Sequence, residues 1–194
     1  MPIHATVPAD RSSSSSISDR LEDRPKRLGN ECPSRQNIDA MSDPKLLPVG
    51  GGSLALTHRP KRKDLPRLQA LGVTHVVTLL ADREGAQEIG EAVRHAGLTW
   101  IWCPLDNGQP PDVQRTAELR PVIAEVAARI AGGAAILVHC SAGIHRTGMF
   151  GYAVLRQLGL EPAAARASLT ELRAVTGEGV GPDRLAWGDA LATK

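Results

Sequence analysis

From residue 50 onward short apolar runs alternate with longer amphipathic stretches, and this alternation restricts the fold more than any other feature. Residues 53–57, 73–80 (VTHVVTLL), 98–103 (LTWIWC) and 134–139 (AAILVH) are β-branched or apolar runs of strand length. Between them the pattern is helical. Residues 63–71 carry Pro66 in a first turn and stop at Gly72, and residues 85–96 stop at Gly97. Asp112 is placed to cap a long helix in which Leu119, Val122, Ile123, Val126 and Ile130 recur at helical spacing, with Pro121 expected to kink it or mark a second start. Further helices are expected over 146–158, 162–175 and 183–191. Strands separated by helices imply an α/β fold, with a mostly parallel sheet of four to five strands covered by helices on both faces.

The first 44 residues differ in kind. RSSSSSISDRLEDRPKRLGNECPSRQ is serine-rich, charged and almost free of large apolar side chains, so it has too little surface to bury to offset the entropy of ordering. A disordered tail over 1–44 and one domain over 45–194 are therefore expected. Met41 opens the stretch that leads into the first ordered pattern, which suggests that translation starts there and that residues 1–40 are an over-extended reading frame.

Lys+Arg 23 against Asp+Glu 21 leaves a formal charge of +2, so no global field points to nucleic acid or a membrane surface as partner. No stretch approaches the roughly 18 apolar residues of a membrane span, and no basic-then-apolar leader opens the chain. Three widely spaced cysteines, Cys32, Cys103 and Cys140, without a C-x-x-C pair, fit neither a disulfide framework nor a zinc ribbon. A cytoplasmic, monomeric protein is the expectation.

The chemistry concentrates in ILVHCSAGIHRTG, residues 136–148. With a strand ending at His139 and a helix starting near Arg146, residues 140–146 form the turn between a strand's C-terminal end and a helix N-terminus, where ligands gather in open α/β sheets. Inward N–H groups and about half a positive charge at the helix start make that turn an anion cradle. Gly143 permits the bend, Ser141 and Ala142 keep the wall thin, and Ile144 and His145 complete the loop, with His145 directed outward. Arg146 adds a planar fork matched to two oxygens of a phosphoryl group. The same field favours the thiolate of Cys140, and hence a nucleophile. Cys140 would attack phosphorus in line while Arg146 and the N–H groups stabilise the equatorial oxygens. Thr147 or Ser141 would donate a hydrogen bond to the departing sulfur in the second step. No cofactor or metal is required. A Cys140/His145/Cys103 metal site is disfavoured by the spacing across a cradle turn.

HCSAGIHRTG resembles His-Cys-x5-Arg-Ser/Thr-Gly, the signature of the cysteine-dependent protein tyrosine phosphatases, in their compact dual-specificity form. WCPLDNGQPPD resembles the general-acid loop ahead of the long helix in that family, and GVGPDRLAW its late Gly-Pro-Asn segment, so the likeness spans roughly residues 45–194. It implies a dual-specificity phosphatase fold. It also implies hydrolysis of phosphotyrosine or phosphoserine/threonine in a protein or peptide, through a cysteinyl-phosphate intermediate, with His139 orienting the loop. Relatives acting on phosphoinositides or RNA 5′-phosphates keep those substrates open.

The chain departs from this pattern where an acid is needed. An ungapped alignment puts Asn107 at the general-acid position with Asp106 beside it, and asparagine cannot protonate a leaving oxygen. Asp106 is the leading candidate, Asp112 a second, and a site without an acid a third; the last would make the protein a phosphate-reading binding module with little turnover. Asp183 stands where the family often carries Asn. Sulfur transfer on a rhodanese-type loop is disfavoured by Thr147-Gly148. Cys103 is expected to pack at a strand end, with a disulfide to Cys140 under oxidation as the alternative. Trp100 and Trp102, alternating with Ile101, are expected on one side of the sheet, in the core.

Overall fold

The computed structural model describes residues 43–106 and 108–192; residues 1–42 of the tail expected over 1–44, and Asn107, lie outside the described residues. Four of the expected runs form strands: β2 (Gly52–Thr57), β3 (His75–Thr78), β4 (Thr99–Trp102) and β5 (Ala135–His139). All their pairings are parallel. A short β1 (Leu47–Val49) pairs antiparallel with β2, giving the order β1-β2-β5-β3-β4. β1 does not stand out in the sequence because Pro48 sits at its centre; the strand forms because it lies at the sheet edge, where a missing N–H costs no ladder bond. Asp43, counted with the tail from the sequence, accepts from Arg67 at 2.8 Å.

The helices are α1 (Leu65–Ala70), α2 (Ala86–His95), α3 (Val113–Ala131), α4 (His145–Gln157), α5 (Pro162–Leu172), α6 (Ala174–Gly179) and α7 (Pro182–Ala192). Period-2 alternation along the strands sends Leu54, Leu56, Val77, Ile136 and Val138 to one face, against Ile123, Val126, Phe150, Val154 and Leu169 of α3, α4 and α5. Ala55, Val76 and Leu137 face the other way, against Leu65, Leu68 and Val93 of α1 and α2. β5 is central, and the loop that follows it is anchored by strands buried on both faces.

Two helical stretches differ from simple expectation. Pro121 does not mark a second start, because α3 continues through it from Val113 to Ala131. A proline inside a helix costs about 3 kcal/mol, and here burial of Leu119, Ile123, Val126, Ala127 and Ile130 along one stripe offsets it. The helix expected over 162–175 is broken at Arg173, which is extended (φ −162°, ψ 106°) between α5 and α6. Its side chain is drawn to the cysteine loop, as described below.

α4 and α7 are joined by one carboxylate. Asp189 accepts from the Tyr152 hydroxyl and from Arg156 Nε, both at 2.8 Å. Burial, followed by the bond to Asp189, raises the Tyr152 pKa. Asp189→Ala is expected to lower the melting temperature by about 5 °C, from about 2 kcal/mol for two orphaned donors in a domain of this size. Calorimetry checks it, with Tyr152→Phe expected to lose about half as much.

Candidate active site

β5 ends at His139 and α4 begins at His145, so residues 140–144 form the expected turn at the C-terminal edge of the sheet. Cys140 is 3% exposed. The Gly143 N–H donates to Cys140 Sγ at 3.2 Å. Gly143 has φ +72°, and a Cβ there would lie 2.3 Å from the Thr57 carbonyl oxygen and 2.6 Å from the His58 nitrogen. The loop is thus laid directly on the end of β2.

The back of the loop is held by groups the sequence does not single out. Arg173 Nη1 donates to the Gly143 carbonyl at 2.6 Å and to that of Ala142 at 3.3 Å. The Thr176 hydroxyl donates to the same Gly143 oxygen at 2.6 Å. Because the trans peptide sets C=O and N–H on opposite sides, carbonyls fixed outward turn the Gly143 and Ile144 N–H groups inward. The break between α5 and α6 is what lets Arg173 reach them.

His139 is fully buried, and burial pushes its pKa down to about 4. Trp100 Nε1 donates to Thr78 Oγ1 at 2.9 Å, which leaves the Thr78 hydroxyl proton for His139 Nε2, also at 2.9 Å. His139 is therefore neutral with its proton on Nδ1, which donates to the Cys140 carbonyl at 3.2 Å. The chain Trp100–Thr78–His139 ends on the backbone of the nucleophile.

Arg146 has a carboxylate partner, Glu84, that no sequence motif marks. Its Nη1 and Nη2 donate to Glu84 Oε2 and Oε1 at 2.7 and 2.9 Å, and Nη1 also reaches the Leu105 carbonyl at 3.2 Å. Glu84 lies in a 3-10 turn (Asp82–Glu84) after β3 and also accepts from the Ala81 N–H at 2.9 Å. Its pKa is lowered to about 2, first by the Arg146 hydrogen bond, and the Arg146 pKa is raised by the same bond. Glu84 occupies the end of the guanidinium, and Arg146 also interacts with the Cys140 thiol, so its remaining donors, Nε–H and the second Nη2–H, form a fork suited to two oxygens of a ligand bound at that thiol. A carboxylate six residues past a strand, with no motif around it, gives no sequence signal of this role.

The acid candidates are placed apart. Asp106 is 80% exposed and pairs with Arg83 at 3.2 Å. Asp112 caps α3, accepting from the Arg115 N–H at 2.8 Å. Both line one cavity of about 390 Å³ with Gln109, Pro110, Pro111 and Arg115. The loop nevertheless adjoins the cradle: a Cβ on Gly108 would lie 2.7 Å from His145 Cβ, and Arg184 Nε donates to the Gly108 carbonyl. Arg184, next to Asp183 in α7, is a further residue that the sequence does not single out. Asp183 itself is exposed.

Ser141, Ala142 and His145 are exposed on the loop. Thr147 is buried with its hydroxyl unpartnered among the described residues, so the bond to sulfur expected of it is not formed here; the Gly143 N–H supplies one instead. Cys103 is a free, buried thiol whose pKa burial pushes up to about 12. Trp100 and Trp102 do share one side of the sheet, stacked at 5.9 Å, but Trp102 is 38% exposed at the edge strand and not in the core as expected. Among the described residues, no group of three or more His, Cys, Asp and Glu is placed to hold a metal ion, and no helix is long and apolar enough to cross a membrane.

A buried cysteine at the foot of an anion cradle, closed by an arginine at the edge of this sheet, defines a cysteine-dependent phosphatase site. The chain belongs to the PTP-SAK family, the Swiss Army Knife protein, DSP-PTPase phosphatase domain, whose model matches residues 48–179. No curated protein matches the sequence. Among solved structures, kinase associated phosphatase with its catalytic-site cysteine substituted by serine is 19% identical, with a TM-score of 0.57 over 73% of this chain and 88% of that one. Tk-PTP in its active form is 23% identical, with a TM-score of 0.58 over 75% and 95%. PTPMT1 in complex with PI(5)P is 19% identical, with a TM-score of 0.58 over 72% and 89%. These likenesses establish the fold.

Proposed function

We propose that the protein hydrolyses phosphate monoesters on protein substrates, phosphotyrosine and/or phosphoserine/threonine, through a phosphocysteine at Cys140. The observation that carries this reading is Arg146, held by Glu84 and interacting with the Cys140 thiol, which already accepts an N–H from its own loop. The phosphoryl group sits in the cradle. Sγ forms a bond to phosphorus as the ester oxygen leaves with a proton, and water then cleaves the S–P bond and regenerates the thiolate. His139, neutral and buried, orients the Cys140 backbone and transfers no proton. Asp106 is the donor to the leaving oxygen, and it reaches that oxygen by exchanging Arg83 for substrate, an exposed pair that holds it only weakly.

The surface position of Asp106 also favours a second reading, a phosphate-reading module in which cradle and thiol work but turnover on poor leaving groups is negligible. Asp106→Asn separates them. With a working acid, the variant is expected to lose about 100-fold in kcat on a phosphotyrosine peptide and little on p-nitrophenyl phosphate, whose leaving group needs no proton. Rapid acid quench of a radiolabelled substrate is expected to place the label on Cys140. Absence of a labelled cysteine overturns the covalent reading, and a wild type that cleaves only the nitrophenyl ester favours the binding module.

A further inference from the structure

The chain as a whole carries a net charge of only +2, yet His58-Arg59-Pro60-Lys61-Arg62-Lys63 places four cations in six residues without an acid among them. The run leaves the C-terminal end of β2, where Thr57 pairs with His139, and it starts on the wall of the cradle: the Arg59 N–H donates to the Ser141 carbonyl at 3.0 Å. Arg59 Nη2 also donates to the carbonyl of Glu84, the residue that clamps Arg146. Arg62 and Lys63 are exposed and have no carboxylate partner among the described residues. Asp64, the acid next to them, accepts instead from the Lys61 N–H at 3.0 Å.

Arg59 and Arg62 line a cavity of about 330 Å³, and the cavity adjoins the cradle through Arg59, whose N–H is bonded to Ser141. Its lining also includes the apolar Leu65, Ile89 and Ala92 and the carboxylates Glu88 and Glu91. A cluster of phosphates alone would meet those carboxylates. A peptide can answer all three kinds of group, with a carboxylate for Arg62, an apolar side chain for Leu65 and Ile89, and a neutral or basic group for Glu88 and Glu91. Residues 59–63 lead away from the cradle over at most roughly 13 Å, the reach of about four residues of extended peptide.

We infer that this basic wall selects phosphopeptides carrying acidic residues beside the phosphorylated one, an inference that rests on the protein-substrate reading above. It gives the cradle a sequence preference independent of its chemistry. Exposed cations are screened by salt, so the preference fades as ionic strength rises.

The test uses two phosphotyrosine peptides of equal length, one with Asp and Glu flanking the phosphoresidue and one with Asn and Gln there, on wild type and on R62E/K63E. p-Nitrophenyl phosphate reports the cradle, which neither substitution touches. Wild type is expected to prefer the acidic peptide about tenfold in kcat/KM at low salt, and the variant to lose or invert that preference while its nitrophenyl rate stays within about twofold. Equal wild-type rates on the two peptides, or a preference that survives in the variant, overturn the inference and leave the protein-substrate reading standing. Failure of wild type to cleave either peptide while it cleaves the nitrophenyl ester overturns that reading and the inference with it. A variant-sensitive preference for phosphoinositide vesicles over the acidic peptide overturns the inference in favour of a lipid surface.

Discussion

Gly143→Ala is expected to lower phosphate release at least about 1,000-fold, on activated and natural esters alike, because it destroys the cradle and not one contact within it. Two costs combine. At φ +72° an alanine is in the left-handed region, at about 1–2 kcal/mol. Its Cβ would also lie 2.3 Å from the Thr57 carbonyl oxygen and 2.5 Å from the Thr57 carbonyl carbon, which are backbone atoms of a buried strand and cannot move aside. The loop must lift. In lifting, it withdraws the Gly143 N–H from Cys140 Sγ and the Gly143 carbonyl from Arg173 and Thr176. The change is expected to cost about 3 kcal/mol of stability, roughly 6–12 °C in melting temperature. Steady-state rates on p-nitrophenyl phosphate beside a thermal melt check it. A variant with a lowered melting temperature but intact turnover would show that the loop can bind phosphate without lying on β2.

The sequence shows that a glycine belongs at this turn, but the reason visible there, freedom to bend, is only part of the cause. The close approach to Thr57 and His58 depends on β2 lying next to β5, and strand order is not written in any local pattern. The same distinction separates the rest of what was legible from what was not. Cys140 and Arg146 lie within one strand-turn-helix unit, so their spacing alone brings them together. Glu84, Arg173, Thr176 and Arg184 reach the site from three other segments, and each acts on backbone or on another side chain. β2, β3 and β5 were readable because each is an apolar run buried on both faces, and the exposed edge strand β4 because Thr99, Ile101 and the two tryptophans are β-branched and aromatic. β1 was hidden by its central proline, and the break at Arg173 by a helical pattern that continues through it.

Glu84→Gln is expected to reduce kcat/KM about 100-fold with Cys140 and the cradle intact, because it frees Arg146 to leave the position from which its remaining edge meets two phosphoryl oxygens. The glutamine keeps the size of the side chain and one acceptor. It also turns an amide N–H₂ toward a guanidinium that has only donors, so one of the two bonds, at 2.7 and 2.9 Å, becomes a repulsion. Arg146→Lys is expected to lose more, about 1,000-fold, since an ammonium cannot bind Glu84 and substrate with two forks at once. A pH series distinguishes a lost clamp from a general loosening of the fold. The Glu84 carboxyl is lowered to about 2 in the folded protein from an ordinary 4.5. A depressed carboxyl stabilises the fold above its unfolded pKa, and that contribution is lost as pH falls through the folded value. The melting temperatures of wild type and Glu84→Gln are therefore expected to differ by a constant amount from pH 5 to pH 7 and to converge as pH falls from about 4 toward 2. A gap that stays constant down to pH 2 would mean that Glu84 contributes by packing and not by charge, and the loss of activity would then need another cause.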